Sequence, residues 1–166
     1  MKNREQVTMT PNREKIGEKA EDIMSTDVVT VKPKDSLHLA SRTLSEHNTS
    51  GAPVVDDIGR IVGIISEHDI VSYLSTFDDS ELEMDKPSNM PRLAHIYLQA
   101  SVKPVEDIMT TGVITAQQET TIEDLAKLMT DNNINRVPIV VKGKLIGMVS
   151  RIDILHNIAA VELGKV

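Results

Sequence analysis

The sequence predicts an α/β protein of the α+β type, made of two β-α-β-β-α units stacked through their sheets. Three observations predict it. First, the chain repeats itself: Glu21-Asp22-Ile23-Met24 returns as Glu106-Asp107-Ile108-Met109, an offset of 85 residues. The same offset pairs Thr26 with Thr111, Val28 with Val113, Thr30 with Thr115, Asn48 with Asn133 and Pro53 with Pro138. One residue then drops out, and an offset of 84 pairs Gly59 with Gly143, Gly63 with Gly147, Ser66 with Ser150, Asp69 with Asp153 and Ile70 with Ile154. Second, within each copy β-branched runs alternate with stretches of helical period. Third, a unit of about 55 residues is marginal alone, so two copies gain by burying each other's apolar sheets.

The elements follow in order. Residues 1–19 are polar and aperiodic and read as a disordered or strapping arm, ahead of a first unit at 20–74. Val28-Val29-Thr30-Val31 reads as a strand. Leu37, Ala40, Ser41 and Leu44 then share one helical face, with Asp35 the candidate cap. Ala52 to Val55 and Arg60 to Ile65 form a hairpin around Gly59, and a second helix starts near Ser66. Residues 75–104 link the units: Asp78, Asp79, Glu81, Glu83 and Asp85 make an acidic stretch, and Leu93, Ile96, Tyr97 and Ala100 mark a short docking helix. The second unit, 105–160, repeats the pattern. Its strand is Val113 to Thr115; its first helix carries Ile122, Leu125, Ala126 and Met129 behind Thr120 or Thr121. Its hairpin pairs Val137 to Val141 with Lys144 to Val149, and its last helix starts at Ser150. The dropped residue falls at the hairpin turn, where a length change is cheap.

Composition narrows the function. Eighteen Lys and Arg against 25 Asp and Glu give a net charge of −7, which disfavours a general nucleic-acid or anionic-membrane binder. With three aromatic residues, Tyr73, Phe77 and Tyr97, there is no stacking platform for single strands. The absence of cysteine excludes thiolate metal sites, disulfides and thiol catalysis. No apolar run reaches a membrane span and the N-terminus has no secretory h-region, so a cytoplasmic protein is expected. The histidines His38, His47, His68, His95 and His156 show no metal-ligand spacing. Glu67-His68-Asp69 has the residue types of a catalytic group, but neighbours at a helix start point apart. No enzyme activity and no required cofactor are expected.

Three motifs, in order and twice, resemble the tandem CBS module, named after cystathionine β-synthase, here as a stand-alone pair. They are the Asp-Ile-Met opening, the Pro-led strands Ala52-Pro53-Val54-Val55 and Val137-Pro138-Ile139-Val140, and the closings Gly63-Ile64-Ile65-Ser66-Glu67-His68-Asp69 and Gly147-Met148-Val149-Ser150-Arg151-Ile152-Asp153. The resemblance implies a pseudo-two-fold pair with two clefts that take AMP, ADP, ATP or S-adenosylmethionine as regulatory ligands. It implies that Asp153 and Asp69 hold ribose and that Ser150 and Ser66 sit by phosphate. Read from the residues alone, Ser-x-x-Asp is also a helix capping box; a helix N-terminus is a natural phosphate site as well.

The resemblance further implies that Arg136, with Asn135 and Val137 beside it, reaches phosphate, and that Arg151 adds a second cation. Gly51 and Ala52 stand where Arg136 and Val137 do, and Glu67 stands where Arg151 does, so the Asp153 cleft is expected to be the stronger phosphate site. His68 is the Asp69 cleft's own cation when protonated. Met24, Val29, Thr49 and Ser50 are expected around the base of the Asp153 site. Met109, Ile114, Ile134 and Asn135 are expected around that of the Asp69 site. A homodimer is expected through apolar faces near Leu44, Leu74, Met129 and Leu155. Two other readings stay open: a ligand-free module that dimerises or docks a partner enzyme or transporter, and nucleic-acid binding through a local basic patch.

Overall fold

A computed structural model describes residues 17–77 and 90–160. The acidic stretch and the first 16 residues of the arm lie outside them. Helix α1 (Ala20–Ile23) leads to α2 (Leu37–Glu46), the hairpin strands β1 (Gly51–Val55) and β2 (Ile61–Ser66), and α3 (Glu67–Leu74). After α4 (Arg92–Ser101), a 3-10 turn (Val105–Asp107) takes the place of α1 in the second copy. Then come α5 (Ile122–Asp131), β3 (Arg136–Val141), β4 (Lys144–Ser150) and α6 (Arg151–Ala159). Each unit carries a two-stranded antiparallel sheet, β1 with β2 and β3 with β4.

Two expectations are corrected. Val28–Val31 and Val113–Thr115 are not strands: only Val31 and its counterpart Ala116 bridge the hairpins, in parallel with Val54 and Ile139. Val31 donates to Pro53 and accepts from Val55, and Ala116 donates to Pro138 and accepts from Val140. The next rung back would need an N–H from Pro53 or Pro138, which proline lacks, so the ladder stops after one residue. The cap of α2 is Ser36, whose hydroxyl accepts from Leu39 N–H at 3.2 Å. Asp35 instead closes the preceding turn by accepting from Lys32 N–H at 2.7 Å. Thr121, the counterpart of Ser36, caps α5.

Helices α2 and α5 end alike. Asn48 and Asn133 take left-handed φ values of 49° and 51°, where asparagine is among the few residues tolerated. Thr49 N–H then returns to Leu44 C=O and Ile134 N–H to Met129 C=O, both at 3.0 Å. These turns deliver Thr49 and Ser50, and Ile134 and Asn135, to the middle of the molecule.

Each unit is completed by the other's leading segment. Ala20 N–H donates to Thr120 C=O and Glu21 N–H to Gln118 C=O, while Ile122 N–H donates to Glu18 C=O. Shifted by 85 residues, the same three bonds recur as Val105 to Asp35, Glu106 to Pro33 and Leu37 to Lys103. Ser25 exchanges backbone bonds with Met148, and Thr110 with Ile64. The cores record this exchange. The first comprises Val31, Ala40, Leu44, Ala52, Val54, Ile65 and Val105. The second comprises Ala116, Leu125, Met129, Val137, Ile139, Val149 and Ala20, the counterpart of each. Leu44 and Met129, expected on outer faces, are therefore core. Helix α4 packs on α2 and α3 through His95, Ile96 and Ala100, leaving Leu93 and Tyr97 exposed.

Candidate functional site

The sheet register builds the site. Arg136 lies opposite Ser150 and Gly51 opposite Ser66, so the start of one strand faces the start of the following helix. Arg151 N–H donates to Asn135 C=O and Glu67 N–H to Ser50 C=O, both at 3.0 Å, fixing each helix start to the turn before its strand. Both Ser-x-x-Asp motifs close as capping boxes. Asp153 Oδ2 accepts from the Ser150 N–H at 2.7 Å and hydroxyl at 2.6 Å; Asp69 Oδ2 accepts from the Ser66 N–H at 2.8 Å and hydroxyl at 2.5 Å. Capping uses one carboxylate oxygen and leaves the other. Asp69 Oδ1 accepts from the Thr110 hydroxyl at 3.2 Å. Asp153 Oδ1 has no protein partner among the described residues.

Two clefts open between the units. The Asp153 cleft, about 520 Å³, joins Ser150, Arg151, Ile152 and Asp153 to Ser25, Asn48, Thr49 and Ser50 of the first unit, with Asn135, Arg136 and Met148 between. The Asp69 cleft, about 390 Å³, joins Ile64, Ser66, Glu67, His68 and Asp69 to Thr110, Val113, Ile114, Asn133 and Ile134 of the second unit. Ser50, Asn135 and Arg136 also line the second cleft. Both volumes lie in the range of roughly 300–1,000 Å³ usual for small-ligand sites.

Arg136 crosses from one unit to the other. Its Nη1 donates to Thr49 Oγ1 at 3.0 Å and to Gly51 C=O, and its Nη2 donates to Ser50 Oγ. Burial pushes its guanidinium below the ordinary arginine value, and the Glu67 carboxylate opposes that shift. It stays charged at neutral pH.

Other expected residues lie elsewhere. Val137 and Ala52 are fully buried in the two cores. Gly51 is buried and meets the site through its carbonyl. Met24 and Met109 pack over Gly147 and Gly63, where any side chain would run into their thioethers. Val29 is half-buried and not in the wall of the Asp153 cleft, although its counterpart Ile114 lines the other. Ser25 and Thr110 were not expected. They follow the repeated Asp-Ile-Met at equivalent positions, and two different hydroxyl residues hide that equivalence. Asn48 and Asn133 were visible as a repeated pair and line one cleft each. Among the described residues no three His, Asp or Glu side chains converge as metal ligands, and no helix is long and apolar enough to cross a membrane.

The family model for the CBS domain matches residues 20–76 and 105–160. The Methanocaldococcus jannaschii protein MJ1426 is 37% identical over 150 residues, spanning 81% of this chain and 88% of that protein. Among solved structures, CBSX2 in complex with AMP superposes with a TM-score of 0.68 at 27% identity, covering 86% of this chain and 97% of that one. The CBS domain pair of MJ0100, in complex with 5-methylthioadenosine and S-adenosyl-L-methionine, gives 0.65 at 28% identity, covering 87% and 98%.

Proposed function

This chain belongs to the CBS domain family, and on that footing we propose that it is a regulatory module binding adenine-containing ligands between its two CBS motifs. The observation that carries the reading is Asp153 Oδ1, without a partner among the described residues, in a cleft that also holds Arg136 and Arg151. A carboxylate oxygen with its lone pairs unspent accepts from both hydroxyls of a ribose, and guanidinium groups beside it suit a phosphate. The complexes of CBSX2 with AMP and of MJ0100 with S-adenosylmethionine support the ligand class. The Asp69 cleft has an apolar wall, Ile64, Val113, Ile114 and Ile134, that suits a base. Glu67 disfavours phosphate there, so a phosphate adds less to binding in that cleft than in the Asp153 cleft.

The module works as a sensor, not a catalyst. Each cleft takes walls from both units, so a bound ligand favours whichever mutual orientation closes on it. It shifts that equilibrium only by its difference in affinity for the two states. Calorimetric titration of AMP tests the reading. Asp153→Ala is expected to weaken AMP tenfold or more and Asp69→Ala much less. A wild-type chain that binds no adenine ligand overturns the reading and leaves the docking module.

The module pairs with a second copy through α3 and α6. Val71 and its counterpart Leu155 are 64% and 57% exposed, and Ile152 and Ile158 extend the second face. A groove of about 360 Å³ between α2 and α3, lined by Leu44, Ile70 and Val71, adjoins the first. Sedimentation at tens of micromolar is expected to give twice the 18.3 kDa chain mass. A monomer there overturns this assignment.

A further inference from the structure

We infer that the two clefts share a single phosphate anchor, Arg136, so that a phosphorylated ligand in one cleft disfavours a phosphorylated ligand in the other. The inference rests on the adenine-ligand reading above and concerns how its two sites communicate. Position 136 is the counterpart of position 51 in the repeat, and the Arg136 guanidinium donates to the carbonyl of Gly51 itself. A side chain that touches its own counterpart lies on the pseudo-two-fold axis, and an axial residue faces both clefts, as the lining of each shows. Symmetry offers two places for a cation at the axis, and glycine fills one of them.

The remaining charges are not shared. Of the two clefts, Arg151 lines the Asp153 cleft alone, and Glu67 and His68 line the Asp69 cleft alone. A guanidinium has several donors but one charge. When it turns from Thr49, Ser50 and Gly51 to a phosphate in the Asp153 cleft, its charge is spent there. A second phosphate then meets Glu67 and, across a shared wall, the first phosphate. Coupling of this kind is reciprocal, so either cleft filled first weakens the other.

The experiment is a calorimetric cycle on the full chain, with AMP and adenosine as probes. Asp153→Ala removes the ribose acceptor of one cleft and leaves the Asp69 cleft to bind alone. The expected result is that AMP binds this variant at least fivefold more tightly than it binds the second site of the wild type. Adenosine, which has no phosphate, is expected to show the same affinity in both settings within twofold. Arg136→Ala is expected to bring AMP down to the affinity of adenosine in both clefts. If that variant does not fold, the comparison of wild type with Asp153→Ala still decides. Equal AMP affinities in the two settings overturn the inference and leave the proposed function standing. So does a complete loss of AMP binding in Asp153→Ala, because the Asp69 cleft then makes no use of the anchor. A wild type that binds neither probe removes the proposed function itself and the inference with it.

Discussion

Asp153 and Asp69 occupy equivalent places and hold the same capping bonds, yet they differ in one oxygen. Thr110 donates to Asp69 Oδ1, whereas Asp153 Oδ1 has no partner among the described residues. Substituting either with alanine costs a cap contact of about 1 kcal/mol, so the two variants are expected to lose similar stability and very different AMP affinity. Thermal unfolding without ligand, beside titration, separates the two effects. The Ser-x-x-Asp motifs were legible as capping boxes because their spacing is local, whereas Arg136 was singled out by the family resemblance. That Arg136 faces both clefts was not legible, since it depends on where the axis falls. Ser25 and Thr110 were hidden for a related reason: each serves the other unit, across more than forty residues of chain in one case, 69 to 110, where helical or strand period carries no signal. The Arg60 N–H, first among its donors, holds the Asp56 carboxyl below the ordinary value of 3.8. A depressed folded pKa contributes stability that is present above the unfolded value and lost as pH falls through the folded one. Asp56→Asn is therefore expected to flatten the acid side of the stability profile below about pH 4 and to leave its neutral shape alone, as thermal melts across pH would read.

At the scale of elements, the segments whose type was legible are those with a full amphipathic face or a turn signal: α2, α5 and both hairpins. The first strands misled because Val28–Val31 and Val113–Thr115 have β-branched composition, while the residue that decides their fate is a proline twenty or more positions on. Composition favours a strand there, but a ladder needs a donor on its partner. Gly63 and Gly147, a repeated pair, have a packing role. They sit mid-strand, and Met109 and Met24 from the opposite unit lie over them. A Cβ at Gly147 also approaches the Ser25 carbonyl to 3.1 Å, so the backbone bond that brings the crossing segment in is disturbed as well. Gly147→Ala is expected to cost about 1–3 kcal/mol, the usual range for overpacking. Met24→Ala opens the space that the new methyl needs, so the double variant is expected to cost less than the sum of the two singles. Denaturant melts of the four proteins measure the coupling; additive costs would show that the methionine and glycine do not meet.

The two cores match position for position, but their volumes are distributed differently. Where the first has Ala40 and Val105, the second has Leu125 and Ala20. A small helix residue goes with a large crossing residue in one unit, and the reverse in the other, which keeps both interiors filled with different parts. The crossing residue always comes from the other half of the chain. A cut between residues 77 and 90 therefore does not yield two domains. The N-terminal half keeps Ala20 and loses Val105, Ile108 and Met109; the C-terminal half keeps those three and loses Ala20, Ile23 and Met24. Each half carries the piece that completes its partner and lacks the piece that completes itself. Units of this size bury too little surface to tolerate that loss. The separate halves are expected to show little helical circular dichroism and no cooperative melt. Mixed in equal amounts, they are expected to recover both, through the reciprocal bonds of Ser25 to Met148 and Thr110 to Ile64. A half that melts cooperatively alone would mean that the exchange of leading segments adorns two independent folds. Recovery only on mixing would mean that the exchange is what makes one fold of two repeats.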